Sequence, residues 1–206
     1  MPTPHPLLAY LHAAADSHFP PVDGAVTIVP PFDNGWACSV AFTGHAVIAT
    51  AKPLEEILAR GADGFGGSMS PDVLRYLAGP AGFAGAIDVM LTARGTGHAT
   101  LPRRTDADDH PRVQYARGQR SKVEVYGDER GLVTLSNGLA GRREFSVETA
   151  EHNRGWGREL VGEALGLVPE GEPVFAAVSP GNARSLRMFL GLGFVPIGSE
   201  CMIRPE

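Results

Sequence analysis

Apolar residues recur along this chain with two periods, and the alternation between them predicts an α/β fold. Leu7 to Ala15 reads as a weak opening helix. Val26–Val29, bracketed by Pro20, Pro21, Pro30 and Pro31, reads as a short strand. Trp36 to Thr50 is a longer strand-like stretch with turn chemistry at Thr43-Gly44-His45. Pro53 to Arg60 predicts a helix with Pro at its start and Gly61 past its end. Ser70-Pro71 supplies an N-cap and a first-turn proline for another, through Ala78. Ile, Val and Leu between Ala86 and Ala93 predict a strand, and residues 94–109 a loop that turns acidic.

The second half is more regular. A short helix is predicted over His110 to Arg117, then strands at Lys122–Tyr126, Leu132–Ser136 and Arg143–Thr149. Turn signals stand at Gly127-Asp128 and Asn137-Gly138. In the third of these strands Glu144, Ser146 and Glu148 share one face and Phe145, Val147 and Thr149 the other. Arg154 to Val168 predicts a helix stopped by Pro169, with Trp156, Leu160, Ala164 and Val168 on one face. Val174–Val178 is wholly apolar, as in a strand covered on both sides. Asn182 to Leu192 predicts a last helix and Phe194 onwards a last strand. The loop at 94–109 is the best boundary, dividing the chain into an amino-terminal α/β part, residues 1–105, and a second part, residues 106–206.

Composition narrows the function classes. Hydrophobic residues make up 43% of the 206, enough for a sizeable core, and the formal charge is −5. No Lys/Arg-rich block is present, so neither nucleic acid nor an anionic membrane is expected as a partner. No apolar run approaches the ~20 residues a spanning helix needs. Met1 to Pro6 lacks the cationic and apolar regions of a secretory signal, and Cys38 and Cys201 do not make a disulfide framework, so a reducing cytoplasm is the expectation. The histidines form no recognised metal spacing with Cys, Asp or Glu, so no metal is expected.

Two stretches carry the chemistry. The first is the strand ending at Thr149 followed by His152-Asn153-Arg154-Gly155-Trp156-Gly157-Arg158. Two glycines feed a helix N-terminus, whose free N–H groups and dipole favour a phosphate brought close to the backbone. Arg154 and Arg158 add charge. The same glycines would also serve close packing of a helix on a sheet. A Walker loop is excluded because Gly157-Arg158-Glu159 stands where Gly-Lys-Ser/Thr is required, and a dinucleotide fingerprint because position 160 is Leu. The second stretch is Asn182-Ala183-Arg184-Ser185-Leu186-Arg187-Met188-Phe189, closed by Gly193-Phe194.

Together these resemble the GNAT superfamily of N-acetyltransferases, which has an Arg/Gln-x-x-Gly-x-Gly/Ala loop followed by Asn-x-x-Ala/Ser-x-x-x-Tyr/Phe and Gly-Phe. The resemblance covers residues 143–206 and extends back to about residue 110. His152 departs from the usual Arg or Gln, Phe189 from the usual tyrosine, and the loop has no proline. The resemblance implies a mixed central sheet flanked by helices, with the amino-terminal part either contributing to that core or forming a degenerate GNAT-like half. It implies acetyl-CoA as cosubstrate, its pantetheine lying like an added strand along the backbone near Val147 and Thr149. The pyrophosphate would sit on Asn153, Arg154, Gly155, Trp156, Gly157 and Arg158. The Asn182 side chain would meet the pantetheine, with Ser185 nearby, and Phe189 would pack beside it; Asn182 equally suits an N-cap. Trp156 suits either the core or the mouth of the cofactor site. The implied reaction is direct attack on the thioester by a primary amine of a small molecule or peptide. Glu144 or Glu148 would act as base through water, or both would be simply paired or exposed. A homodimer is compatible with all of this. The rival reading is a non-catalytic acyl-CoA-binding sensor or scaffold.

Overall fold

The structure is a computed structural model that describes residues 3–206. The fold is mixed α/β, and the described residues contain nine strands of a mixed sheet, flanked by helices. Two compact units divide it.

The first unit takes in the described residues up to Met90, Ala177–Asn182 and Pro196–Glu206. It contains α1 (Pro6–Ala15), β1 (Val26–Val29), β2 (Ala37–Phe42), β3 (His45–Ala49), α2 (Leu54–Leu58), α3 (Pro71–Ala78) and the start of β4 (Phe83–Arg94). Its strands run in the order β1-β3-β2-β9-β4, where β9 is Val195–Arg204. The β2–β3 hairpin closes at Thr43-Gly44, with Phe42 opposite His45. Gly44 has φ +73°, and a Cβ there would stand 2.4 Å from Val22 Cγ1, so both conformation and space demand glycine. Ser70 caps α3, its Oγ accepting from Val73 N–H at 3.4 Å. Ile48, Ile57, Val73, Leu77, Cys201 and Ile203 close the core. Burial pushes the Cys201 thiol up to about 11, which suits a packed sulfur rather than a nucleophile.

The second unit is Leu91–Ala176 with Ala183–Val195. It holds the end of β4, α4 (Pro111–Gln119), β5 (Ser121–Asp128), β6 (Gly131–Asn137), β7 (Arg143–Thr149), α5 (Trp156–Ala164), the start of β8 (Pro173–Val178) and α6 (Ala183–Gly191). Strand order is β4-β8-β7-β6-β5. β5–β6 and β6–β7 are antiparallel, and β7–β8 is parallel. The loop at 94–109 lies inside this unit, which begins at Leu91, within β4.

Three local differences from the sequence reading have plain causes. β5 runs on through Gly127-Asp128, and the turn comes at the next two residues. Gly127 is required for close approach, since a Cβ there would meet Gly131 O at 2.2 Å. The helix expected from Arg154 starts at Trp156, because Asn153 (φ +64°) and Gly155 (φ +81°) are left-handed. It ends at Ala164 and tightens into a 3₁₀ turn over Leu165–Leu167 before Pro169.

Candidate functional site

The candidate site is built on the far end of β7. Along its whole length β7 pairs with β6, from Asn137↔Arg143 to Gly131↔Thr149. On its other edge the ladder with β8 is one pair, Glu144↔Phe175. Strand hydrogen bonds alternate between edges. Ala150 N–H donates to Arg130 O at 2.9 Å, so the even-numbered residues of β7 turn their N–H and C=O groups toward β6. Val147 and Thr149 turn theirs to the opposite edge, beyond the single β8 pair. That edge offers a ready-made template for an extended chain.

The chain then passes through an exposed loop, residues 150–155, into α5. Asn153 and Gly155 in left-handed conformation turn the backbone into the helix, and Gly155 is the N-cap with no side-chain hydrogen bond. Arg158 and Glu159 N–H both return to Gly155 O, at 2.9 and 3.3 Å. The N–H groups of Trp156 and Gly157 precede any intrahelical acceptor and carry the positive end of the dipole. A Cβ at Gly155 would meet nothing closer than Glu159 Oε1 at 4.0 Å, so the approach to the backbone is open. Gly157 also serves packing: a Cβ there would stand 3.0 Å from Met188 Sδ and 3.5 Å from Thr149 Cγ2. Arg130, from the β5–β6 turn, anchors α5 by bonding Glu163 (2.7 Å) and Glu159 (3.2 Å) while holding Asp128.

Of the predicted cationic residues, Arg154 is exposed and paired with Glu151 at 2.9 Å. Arg158 is exposed, with its Nη1 3.0 Å from where a Gly191 Cβ would be, so it lies against the last turn of α6. Trp156 is half-buried. Ser185 is half-buried on the first turn of α6. Phe189 is buried, its ring 4.9 Å from that of Phe194 in an edge-on arrangement. Asn182 directly precedes α6 in the chain, its N–H closing a turn on Ser179 O at 2.8 Å.

The two carboxylates expected as candidate bases have different surroundings. Glu144 is buried and grips two guanidinium groups: Arg142 Nε and Nη2 donate to its Oε2 at 2.9 and 2.8 Å, and Arg120 Nη2 to its Oε1. Arg142 is wholly buried, and Arg120 Nη1 is buried with no acceptor. Burial pushes the Glu144 carboxyl up, but the Arg142 and then the Arg120 guanidinium reverse this and hold it below the ordinary range. A carboxylate so depressed and enclosed is a poor proton acceptor, so its geometry fits an anchor that ties the end of α4 to β7. Gly138 leaves room for it, since a Cβ there would stand 2.3 Å from Glu144 Oε2. Glu148, four residues on, is half-exposed at the open end of β7 and takes one bond from Arg112 Nε at 3.0 Å. The two acidic side chains thus pin opposite ends of α4 to β7, one deep and one at the surface. Arg120 and Arg112 were not legible as their partners, because only the fold brings α4 over that face.

Among the described residues no group of His, Cys, Asp and Glu is arranged to hold a metal, and no helix is long and apolar enough to cross a membrane.

Comparison with known proteins adds the following. No protein-family model and no curated protein matches the chain. Two solved structures are similar in fold. One is a GNAT-family protein from Novosphingobium aromaticivorans DSM 12444, with a TM-score of 0.45 at 16% identity over 61% of this chain and 68% of that one. The other is a GCN5-related N-acetyltransferase from Kribbella flavida, with a TM-score of 0.43 at 13% identity over 64% of this chain and 61% of that one. Both scores are below 0.5, so the functional reading rests on the site itself.

Proposed function

We propose that this chain is an N-acyltransferase of the GNAT type, moving an acetyl group from acetyl-CoA to a primary amine by direct attack in a ternary complex. The observation that carries this reading is the continuity of two features. The open edge of β7 at Val147 and Thr149 leads, within one short loop, to a helix N-terminus with glycine at 155 and 157. An extended amide-bearing arm ending in a diphosphate has the shape of that surface. The arm would pair with the β7 edge as pantetheine does with a strand, and the diphosphate would lie on residues 153–158.

In the reaction the amine nitrogen bonds to the thioester carbonyl carbon, the C–S bond breaks, and the thiolate leaves. A lysine-like amine has a pKa of ~10.4 and must first lose a proton. Glu148 is the better placed of the two carboxylates to accept it through water, because Glu144 is enclosed by Arg142 and Arg120. Backbone N–H groups on the open edge of β7 would stabilise the oxyanion. An alkyl thiol has a pKa of ~8.5, so the thiolate is a tolerable leaving group where Phe189 has no proton to supply.

The second reading, an acyl-CoA-binding protein without catalysis, is favoured by the engagement of Glu144 as an anchor and by the apolar, buried Phe189. One assay separates them: release of free CoA thiol from acetyl-CoA across a panel of amines. The acyltransferase reading expects amine-dependent release that falls ~10²–10⁴-fold in Glu148→Gln. Tight CoA binding with no release for any amine would leave the binding-protein reading standing.

A further inference from the structure

In the first unit, a histidine couples a hydroxyl to a carboxylate. Thr27 Oγ1 lies 2.9 Å from His45 Nε2, and His45 Nδ1 lies 2.9 Å from Asp23 Oδ1. The register of β1, β3 and β2 sets Thr27 beside Val47 and His45 beside Phe42, so Thr27 and His45 share one face of the sheet. Asp23 Oδ1 also accepts from Ala25 N–H at 2.9 Å, which fixes the carboxylate. That bond, then the one from His45, holds the Asp23 carboxyl below its ordinary range. An ionised carboxylate can only accept, so His45 keeps its proton on Nδ1 and turns the lone pair of Nε2 to the Thr27 hydroxyl.

The surroundings suit a nucleophile. His45 is buried and Thr27 half-buried, so the pair is screened from bulk water without being sealed. Ala46 N–H donates to Ala25 O and Thr50 N–H to Val29 O, both at 3.0 Å. The odd-numbered residues of β1 therefore turn their backbone groups to β3, and Val26 and Ile28 turn theirs to the outer edge. β1 stands first in the strand order, so no other strand among the described residues lies along that edge. The Ile28 N–H, one residue past Thr27, is thus aimed where charge would develop on a carbonyl attacked by Thr27. Apolar surface adjoins the pair. Phe19, which is exposed, stands edge-on to Phe42 at 6.5 Å, and exposed Val22 lies against the Gly44 turn beside His45.

We propose that Thr27, His45 and Asp23 form a catalytic site of their own, a nucleophile, base and orienting carboxylate that hydrolyse small carboxylic esters. Nothing in this draws on acyl transfer from CoA. Thr27 Oγ1 bonds to the ester carbonyl carbon while its proton passes to His45 Nε2, and Asp23 holds the imidazolium. The oxyanion faces the Ile28 N–H. The ester C–O bond breaks, and His45 returns the proton to the leaving alcohol. Water then attacks the acyl-threonine and gives a proton to His45, and the acid leaves as that proton goes back to Thr27 Oγ1. The Thr27 methyl crowds the attacking oxygen, and Phe19 and Val22 offer apolar surface. The substrate class is therefore an ester of a short apolar acid with a good leaving group.

The test gives the full chain p-nitrophenyl acetate and p-nitrophenyl butyrate, with neither CoA nor an amine present, and follows p-nitrophenol release. A p-nitrophenyl alkylphosphonate, whose adduct resists hydrolysis, is then mapped by peptide mass spectrometry. The expected result is release above the buffer rate and a phosphonyl group on Thr27. Thr27→Val keeps the shape without the hydroxyl, and it and His45→Gln should each lower the rate ~10²–10⁴-fold. Thr27→Ser drops the crowding methyl and should keep or raise the rate. Circular dichroism melts verify that each variant folds. A wild type no faster than buffer with either ester would overturn the site, as would Thr27→Val at the wild-type rate; the three side chains would then only clasp residues 22–25 to β3. If Thr27→Val did not fold, the map and Thr27→Ser would decide, and a phosphonate found on other side chains or on none would equally overturn it. Because the assay contains no CoA, either outcome leaves the acyltransferase reading where it stands.

Discussion

Replacing Glu144 by Gln separates an anchor from a catalyst. The side chain is 4% exposed and the Arg142 side chain not at all. Gln keeps the shape but removes the one negative charge set between the buried Arg142 guanidinium and that of the half-buried Arg120. Breaking a buried pair by neutralising one partner costs ~3–5 kcal/mol, because an uncompensated charge remains inside. That is a large share of the ~5–15 kcal/mol that holds a typical domain. For a chain of this size each kcal/mol shifts the melting midpoint by ~2–4 °C, so Glu144→Gln should melt roughly 6–20 °C lower at pH 7. The pH dependence has a definite sign. The folded-state pKa of Glu144 lies below its ordinary value, so its contribution is complete above the unfolded carboxyl pKa of ~4.3 and is lost as pH falls toward the folded value. The gap between wild type and Glu144→Gln should therefore close in acid. Gly138→Ala, which would push on the same carboxylate oxygen, should destabilise in the same direction. Melts followed by far-UV circular dichroism from pH 7 downward read all of this. A Glu144→Gln protein that melts with the wild type at pH 7 yet loses turnover would refute the anchor and return Glu144 to the chemistry.

Two further outcomes are expected. Gly157→Glu should weaken acetyl-CoA binding tenfold or more, since it sets a negative charge on the diphosphate cradle, with some loss of stability because its Cβ crowds Met188 Sδ; calorimetry on the folded variant checks it, and unchanged affinity would remove the cradle. Phe189→Tyr puts a hydroxyl into the buried contact with Phe194 and should cost ~1–3 kcal/mol if that group finds no acceptor, while CoA affinity holds and turnover stays equal or rises; loss of CoA binding in a folded protein would mean that α6 does not flank the cofactor.

Most elements were legible because local chemistry and tertiary packing agree. Ser70-Pro71 starts α3, Thr43-Gly44 turns β2 into β3, and the apolar run at Val174–Val178 is a buried strand. Local chemistry misled where one residue serves two needs. Gly127 reads as a turn glycine, yet it stays in β5 to admit the Gly131 backbone. The tight entry into α5 was legible because a left-handed start to a helix, here at Gly155, leaves a glycine signature. The standing of Glu144 was not, since Arg-x-Glu on a strand says nothing about a third residue at the end of a helix. The loop at 94–109 reads as a polar linker in sequence, yet its start is tied down by backbone bonds from Gly95 and Thr96 to Glu172 O and Leu165 O that no local pattern announces.

The pairing of β2 with β9, Ala37 with Ile203 through Ala41 with Ser199, joins strands more than 150 residues apart in sequence. During synthesis the first unit must wait for β9. At ~5–20 residues per second that wait lasts on the order of ten seconds or more, with one edge of β2 open throughout. An open apolar edge is what aggregation exploits, and contacts this distant in sequence form slowly. A ribosome stalled before residue 196 would release a chain that has all of β7 and α5 but lacks the strand between β2 and β4. For this protein, removing residues 196–206 should leave β2 without its β9 partner and the core of the first unit without Cys201 and Ile203.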